Sequence, residues 1–209
     1  MLNFNGLDEM LDVDTLRKTL ESRNLVKDNI KKYHDNSNWE TFQLAMRLLN
    51  PQSYGSQFEK RIRDAYGWKK NSAKDRNGDA SYQFNNIEVN SEIKVSLTTD
   101  TDKNVNILQI RDSHAMDFYD IFIIHIDNTV EHFRLSKDQM RKELAITGSN
   151  LAHGTKGNDD GRYENAEYRI DFKATDGDII YKRWQKEYLL MGSENILINY
   201  SPLDSSKDN

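Results

Sequence analysis

Asp79, Glu92 and Lys94 are the residues of this chain whose types and spacing could do chemistry. Ala80-Ser-Tyr-Gln-Phe84 reads as one strand and Ile87 to Leu97 as a second. Asn85-Asn86 between them suits a two-residue hairpin turn, because asparagine tolerates positive φ. Pairing Phe84 with Ile87 carries the register back to Asp79 opposite Glu92. Directly opposed side chains stand roughly 5 Å apart at Cβ, where like charges repel. Period-2 alternation then puts Lys94 on the face of Glu92. Two carboxylates beside an ammonium are costly to hold together unless a cation or a reaction uses them. The arrangement points to a metal site. The plainer alternative is an aspartate in a turn and a surface ion pair worth little.

The elements that must position these residues follow from periodicity. Leu11, Leu16, Leu20, Leu25, Val26 and Ile30 give residues 8–33 a helical pattern, and a second helix is expected from Trp39 to Leu49, ahead of Asn50-Pro51. A third begins near residues 53–56 and runs through Phe58, Ile62, Ala65 and Tyr66 to Gly67. Residues 69–78 read as a polar loop. Val105 to Arg111 fits a short helix or a strand, and the helix is preferred. Residues 119–126 are the best buried strand in the chain. A short strand at residues 133–135 leads to Ser136, the expected cap of a helix through Leu144. Residues 147–161 are loop-rich, 168–172 form a strand and 179–191 a helix. The tail, 203–209, has the composition of a disordered segment. The expected class is α/β, a mixed β-sheet flanked by helices with a helical N-terminal segment.

Gly78-Asp79, twelve intervening positions and Glu92-Ile93-Lys94 resemble the PD-(D/E)XK nuclease pattern. Gly55-Ser-Gln-Phe-Glu59 is similar to the family's first helix, which often supplies an acidic residue facing the metal. Gln109-Ile110-Arg111 and the apolar 119–126 strand resemble the helix and strand that follow the catalytic hairpin, most of all in type II restriction endonucleases. The resemblance covers residues 55–126. It departs at Gly78, which stands where the name-giving proline would.

The resemblance implies a restriction-endonuclease-like fold and Mg²⁺, with Mn²⁺ as a substitute. Asp79, Glu92 and the Ile93 carbonyl would hold the ion, Lys94 would act on the attacking water and the transition state, and Glu59 would serve a second ion or a bound water. The implied activity is sequence-specific hydrolysis of double-stranded DNA by a homodimer, with a cognate DNA methyltransferase acting on the same site as a partner. The alternatives are a nicking, repair or junction-resolving nuclease of the same fold, or a non-catalytic DNA-binding module.

The whole chain sets the bounds. Its 209 residues suffice for a single domain over 1–202: a helical part over 1–50, a catalytic core over 51–130 and a DNA-recognition part over 131–202. A net charge of -5 argues against a passive nucleic-acid coat but leaves room for local basic clefts. Three clusters, Lys60-Arg61-Arg63, Lys69-Lys70-Lys74-Arg76 and Lys182-Arg183-Lys186, could face phosphates or simply be solvated. The absence of cysteine removes disulfides, thiolate zinc sites and cysteine nucleophiles. Without a signal peptide or an apolar run of about 20 residues, the expected location is cytoplasmic, away from membranes.

The remaining signals are weaker. Ser96 and Gln109 suit a phosphate or a water near the site, or plain core-edge polarity. Residues 148–156 lack the spacing of a phosphate-binding P-loop. They read either as a long mobile loop or as one that orders on DNA, where His153, Lys156, Asn158 and Arg162 would touch phosphates or base edges. None of His34, His114, His125, His132 and His153 has metal-ligand spacing, and His125 reads as a satisfied buried ring. Trp68, Trp184 and the tyrosines read as core and cleft aromatics.

Overall fold

Asn38 opens the first described helix, α1 (Trp39–Met46), by accepting the Thr41 N–H at 2.9 Å. The next, α2 (Pro51–Tyr66), ends at Gly67, whose φ of 66° closes the helix without steric cost. Gly67 N–H donates to the Asp64 carbonyl and Trp68 N–H to that of Arg63, the paired bonds of a Schellman cap. That cap delivers the chain into the sheet. This is a computed structural model, and it describes residues 38–47, 49, 51–72, 76–99, 101–147, 150–151 and 166–201. The helix read over 8–33, the tail, and His153, Lys156, Asn158 and Arg162 lie outside the described residues.

The main sheet is mixed and has five strands. β1 (Lys69–Lys70) pairs antiparallel with β2 (Ala80–Phe84), and β2 with β3 (Ile87–Leu97) in the expected register, Phe84 on Ile87 and Ala80 on Ser91. Asn85 and Asn86 both take positive φ, at 51° and 65°, as a two-residue hairpin turn requires. The loop expected over 69–78 is corrected at its start, because Lys69 and Lys70 find partners in Ser81 and Ala80. After β4 (Asn104–Arg111) the chain returns as β5 (Phe118–Ile124), parallel to β3, and then β6 (Val130–Ser136), antiparallel to β5. Ser136 and Gln139 form a capping box at the start of α3 (Lys137–Thr147): Ser136 Oγ accepts the Gln139 N–H while the Gln139 side chain accepts the Ser136 N–H.

Residues 104–111 are a strand, which corrects the helix preferred there. Val105, Ile107 and Ile110 are buried, and the alternation slips by one at a bulge where Gln109 has φ 54°. Three buried positions at 105, 107 and 110 imitate a helical stripe, but the distant β8 (Glu167–Lys173) supplies the hydrogen bonds of a strand. With β7 (Asn150–Leu151) these strands make a second sheet in the order β4-β8-β7. Asp178 caps α4 (Ile179–Glu187), and α5 (Glu194–Ile198) closes the described chain.

Two cores sandwich the main sheet. On one face Ala80, Ile93, Phe122 and Ile124 pack with Phe42, Phe58, Ile62 and Leu197 of the helices. On the other, Ile121, Ile123, Phe133 and Leu135 meet Val105, Ile107 and Ile170 of the second sheet and Trp184 of α4. The architecture is mixed α/β, a mixed sheet flanked by helices. Among the described residues no helix is long and apolar enough to cross a membrane.

Candidate active site

β2 begins at Ala80, so β3 runs past it and loses its antiparallel partner beyond Ser91. Asp79 fills the place of that partner. Its N–H donates to the Ser91 carbonyl at 2.8 Å, and its Oδ2 accepts the Ile93 N–H at 2.9 Å. Gly78 makes this approach possible. Its φ is 76°, and a Cβ there would lie 2.5 Å from the Ser91 oxygen, so no other residue fits without displacement. Proline, with φ fixed near −65°, is excluded by the same conformation.

Glu92 and Lys94 lie on one face of β3, and Lys94 Nζ stands 2.7 Å from Glu92 Oε1. Ile93 between them points its buried side chain into the opposite core. Glu59 arrives from α2, which Phe58 and Ile62 anchor on that same core, and Arg63 Nη1 lies 4.0 Å from its carboxylate. Burial and then the charge of Asp79, reinforced by Glu92, push the Glu59 carboxyl up to about 7, against the pull of Lys94 and Arg63. Burial and the charge of Glu92 also raise Asp79, partly opposed by Lys94 and the Ile93 hydrogen bond. Three carboxylates thus share a half-buried place that Lys94 and Arg63 do not neutralise.

The residues expected near this cluster fare differently. Ser96 is buried, and its Oγ accepts the Asn106 N–H at 3.0 Å, so it ties β3 to β4. Gln109 is exposed at the β4 bulge. His125 is the satisfied buried ring expected, between Thr98 Oγ1 at 2.9 Å and Glu131 Oε2 at 3.0 Å. Of the basic clusters, Arg61 is buried over the Phe42 ring, and Arg183 is bound to buried Glu143.

Two groups reach the cluster that the sequence did not tie to it. Arg63 is one. His114 is another: burial holds its pKa down, Glu92 pulls it up, and Arg111, Arg76 and Lys94 add to the lowering. Arg76 acts on His114; its carbonyl accepts the Ala115 N–H at 2.8 Å and joins the loop before the hairpin to the loop that carries His114. His114 lacks metal-ligand spacing, and the sequence marked Arg63 and Arg76 only as members of basic clusters. Among the described residues no group of three His, Asp or Glu is arranged as a ready metal cage. Compared with models of protein families and with curated proteins, the sequence matches none of them.

Proposed function

We propose that this chain is a Mg²⁺-dependent endodeoxyribonuclease with a restriction-endonuclease-like fold, cleaving duplex DNA at specific sequences. The observation that carries the reading is the gathering of Asp79, Glu92, Lys94 and Glu59 at the end of β3 that β2 leaves uncovered. The donor set fits a hard divalent cation. Burial and like-charged neighbours hold Asp79 and Glu59 above the usual carboxylate range, so ionising them together is costly, and a bound cation would relieve that cost. When bound, the ion would make an attacking water more acidic and offset charge building on the phosphate. Asp79 and Glu92 are the side chains that would hold it, with the Ile93 carbonyl between them.

A phosphodiester resists hydrolysis because its charged oxygens repel an incoming nucleophile. Water adds to phosphorus, a P–O ester bond breaks, and the proton lost by the water is taken up by the departing oxygen. Lys94 is suited to the extra negative charge of that transition state, because Glu92 already holds its ammonium over the site. Glu59, poised near 7, is suited to orient a water or hold a proton beside Asp79. The described residues form one such site, so a double-strand break would need two copies, whose two-fold symmetry would mirror a palindromic target.

The test is a gel of long, unmodified duplex DNA incubated with the protein in Mg²⁺ or EDTA. Discrete Mg²⁺-dependent bands are expected. A smear or nicked product would keep the chemistry and move the substrate to repair or nicking. DNA left intact across many sequences would overturn the reading.

A further inference from the structure

Three histidines lie among the described residues, and two of them are bonded at both ring nitrogens. His125 meets Thr98 Oγ1 and Glu131 Oε2, and His132 meets Ser193 Oγ and Asp120 Oδ1. His114 differs. It is half-buried, and among the described residues neither ring nitrogen has a hydrogen-bond partner. The arginines around it divide in the same way. Arg111 Nη2 lies 2.5 Å from Glu167 Oε1, and Arg141 Nε lies 2.6 Å from Asp112 Oδ1. Arg76 is exposed, and among the described residues its guanidinium has no carboxylate or hydrogen-bond partner.

Hydrogen bonds pin Arg76 and His114 beside the carboxylate cluster. The Arg76 carbonyl, three residues before Asp79, accepts the Ala115 N–H at 2.8 Å. Asp117 N–H donates to the carbonyl of Asn90, two residues before Glu92, at 2.9 Å, and Asp117 Oδ2 accepts the Asn90 N–H at 2.8 Å. Met116 is buried in the core of the second sheet, and Lys137 Nζ donates to the His114 carbonyl at 2.6 Å. Each of residues 114–117 is therefore held by the fold. Burial and then the charges of Glu92, Arg111, Arg76 and Lys94 act on the His114 ring, so it lies within reach of the cluster and of Arg76 alike. Their net effect holds its pKa below the ordinary 6.5, and at about pH 7.5 the ring is a neutral group with one N–H to donate. A guanidinium and an imidazole with nothing to bond in the described fold suit an anion that comes with the substrate. A phosphodiester supplies one charge and two oxygens that accept from both groups.

We infer that Arg76 and His114 seat a non-scissile phosphate of the DNA strand being cut, Arg76 supplying the charge and His114 a single N–H. The inference rests on the endonuclease reading and adds to it a fixed point for the backbone. Phosphate contacts set the position and register of a duplex without reading its sequence. With one phosphate held by this pair, a neighbouring one is presented to Lys94 and the carboxylates.

The test is binding of a labelled duplex, followed by fluorescence anisotropy in EDTA so that no strand is cut, across roughly 50–200 mM salt. Arg76→Gln should weaken binding about ten-fold on every sequence and reduce the slope of log affinity against log salt by about one. Arg76→Lys should restore the slope. His114→Ala should weaken binding about five-fold and leave the slope native, because a neutral donor displaces no counterion. Lys182→Gln, at an exposed position on α4, should leave affinity and slope native. A native slope in Arg76→Gln, native affinity in His114→Ala, an equal change in Lys182→Gln, or no saturable binding by the native protein would each overturn the seat. Because the slope is read without Mg²⁺, a chain that binds in this way but never cuts keeps the seat and loses the nuclease reading. Mg²⁺-dependent cleavage together with a native slope in Arg76→Gln loses the seat alone.

Discussion

At the residue scale, charge balance decides what the cluster can do. Glu92→Ala should abolish Mg²⁺-dependent cleavage and Lys94→Ala should lower it by about 10²-fold or more, with circular dichroism unchanged in both. Native rates in either variant would remove the proposed site. Glu59 gives a pH test with a definite sign. Its carboxyl in the folded chain sits near 7, above the ordinary 4.5. Between those values the folded state binds more protons than the unfolded one, so this group's contribution to stability falls as pH rises. Glu59→Gln should therefore melt higher than the native protein at pH 8, and the gap should close below about pH 4.5. Saturating Mg²⁺ at pH 8 should raise the native melting temperature more than that of the variant, and calorimetry with and without the ion reads both effects. Asp79, Glu92 and Lys94 were legible in the sequence because a hairpin fixes register and face together. The approach of Arg63 and His114 was not, because they reach the cluster from a helix and a loop whose placement depends on tertiary packing.

At the element scale, the hairpin is the part written most clearly in the sequence, and β4 the part most obscured. Two asparagines with positive φ dictate the turn, and the turn dictates that Ala80 meets Ser91. In β4 the bulge at Leu108-Gln109 breaks the alternation on which a strand reading depends, and the partner strand β8 begins at Glu167. Local pattern had no access to that pairing. One residue ahead of the hairpin acts through backbone geometry alone. Gly78→Ala forces a Cβ against the Ser91 carbonyl at a φ that L residues rarely adopt. It should destabilise the fold by more than about 1 kcal/mol in urea unfolding. It should also weaken Mg²⁺-dependent cleavage at temperatures where the variant remains folded, since Asp79 is positioned by the same turn. A variant as stable and active as the native chain would mean that the turn is not what places Asp79.

At the scale of the whole molecule, one fully buried carboxylate ties the β2–β3 hairpin to the region just before α5. Asp120 accepts from Tyr82 at 2.8 Å and Ser91 at 2.6 Å through Oδ2, and Oδ1 meets His132 at 2.7 Å and Arg134 at 2.8 Å. The other nitrogen of His132 faces Ser193 Oγ at 3.0 Å. Asp120, His132 and Ser193 follow one another as in a serine hydrolase, but the ring is reversed, with Nε2 on the aspartate and Nδ1 on the serine, and this chain of contacts is built to hold. Ser193 Oγ donates to the Leu190 carbonyl at 2.8 Å, and the imidazole is buried against Phe122. A buried charge bonded on both oxygens is worth most as a shared partner, and removing it strands the groups around it. Asp120→Ala should therefore cost about 3–5 kcal/mol and lower the melting temperature by roughly 10 °C. Burial alone would raise the Asp120 pKa, but the His132, Arg134 and Ser91 contacts outweigh it and hold it below the ordinary 3.8. The stability it contributes is then complete above that value and is lost as pH falls through the lower folded pKa. The gap between native and Asp120→Ala melting temperatures should stay constant from neutral pH down to about 4 and narrow below it. A gap that instead closes near neutral pH would mean that the ionised carboxylate does not set the strength of this network.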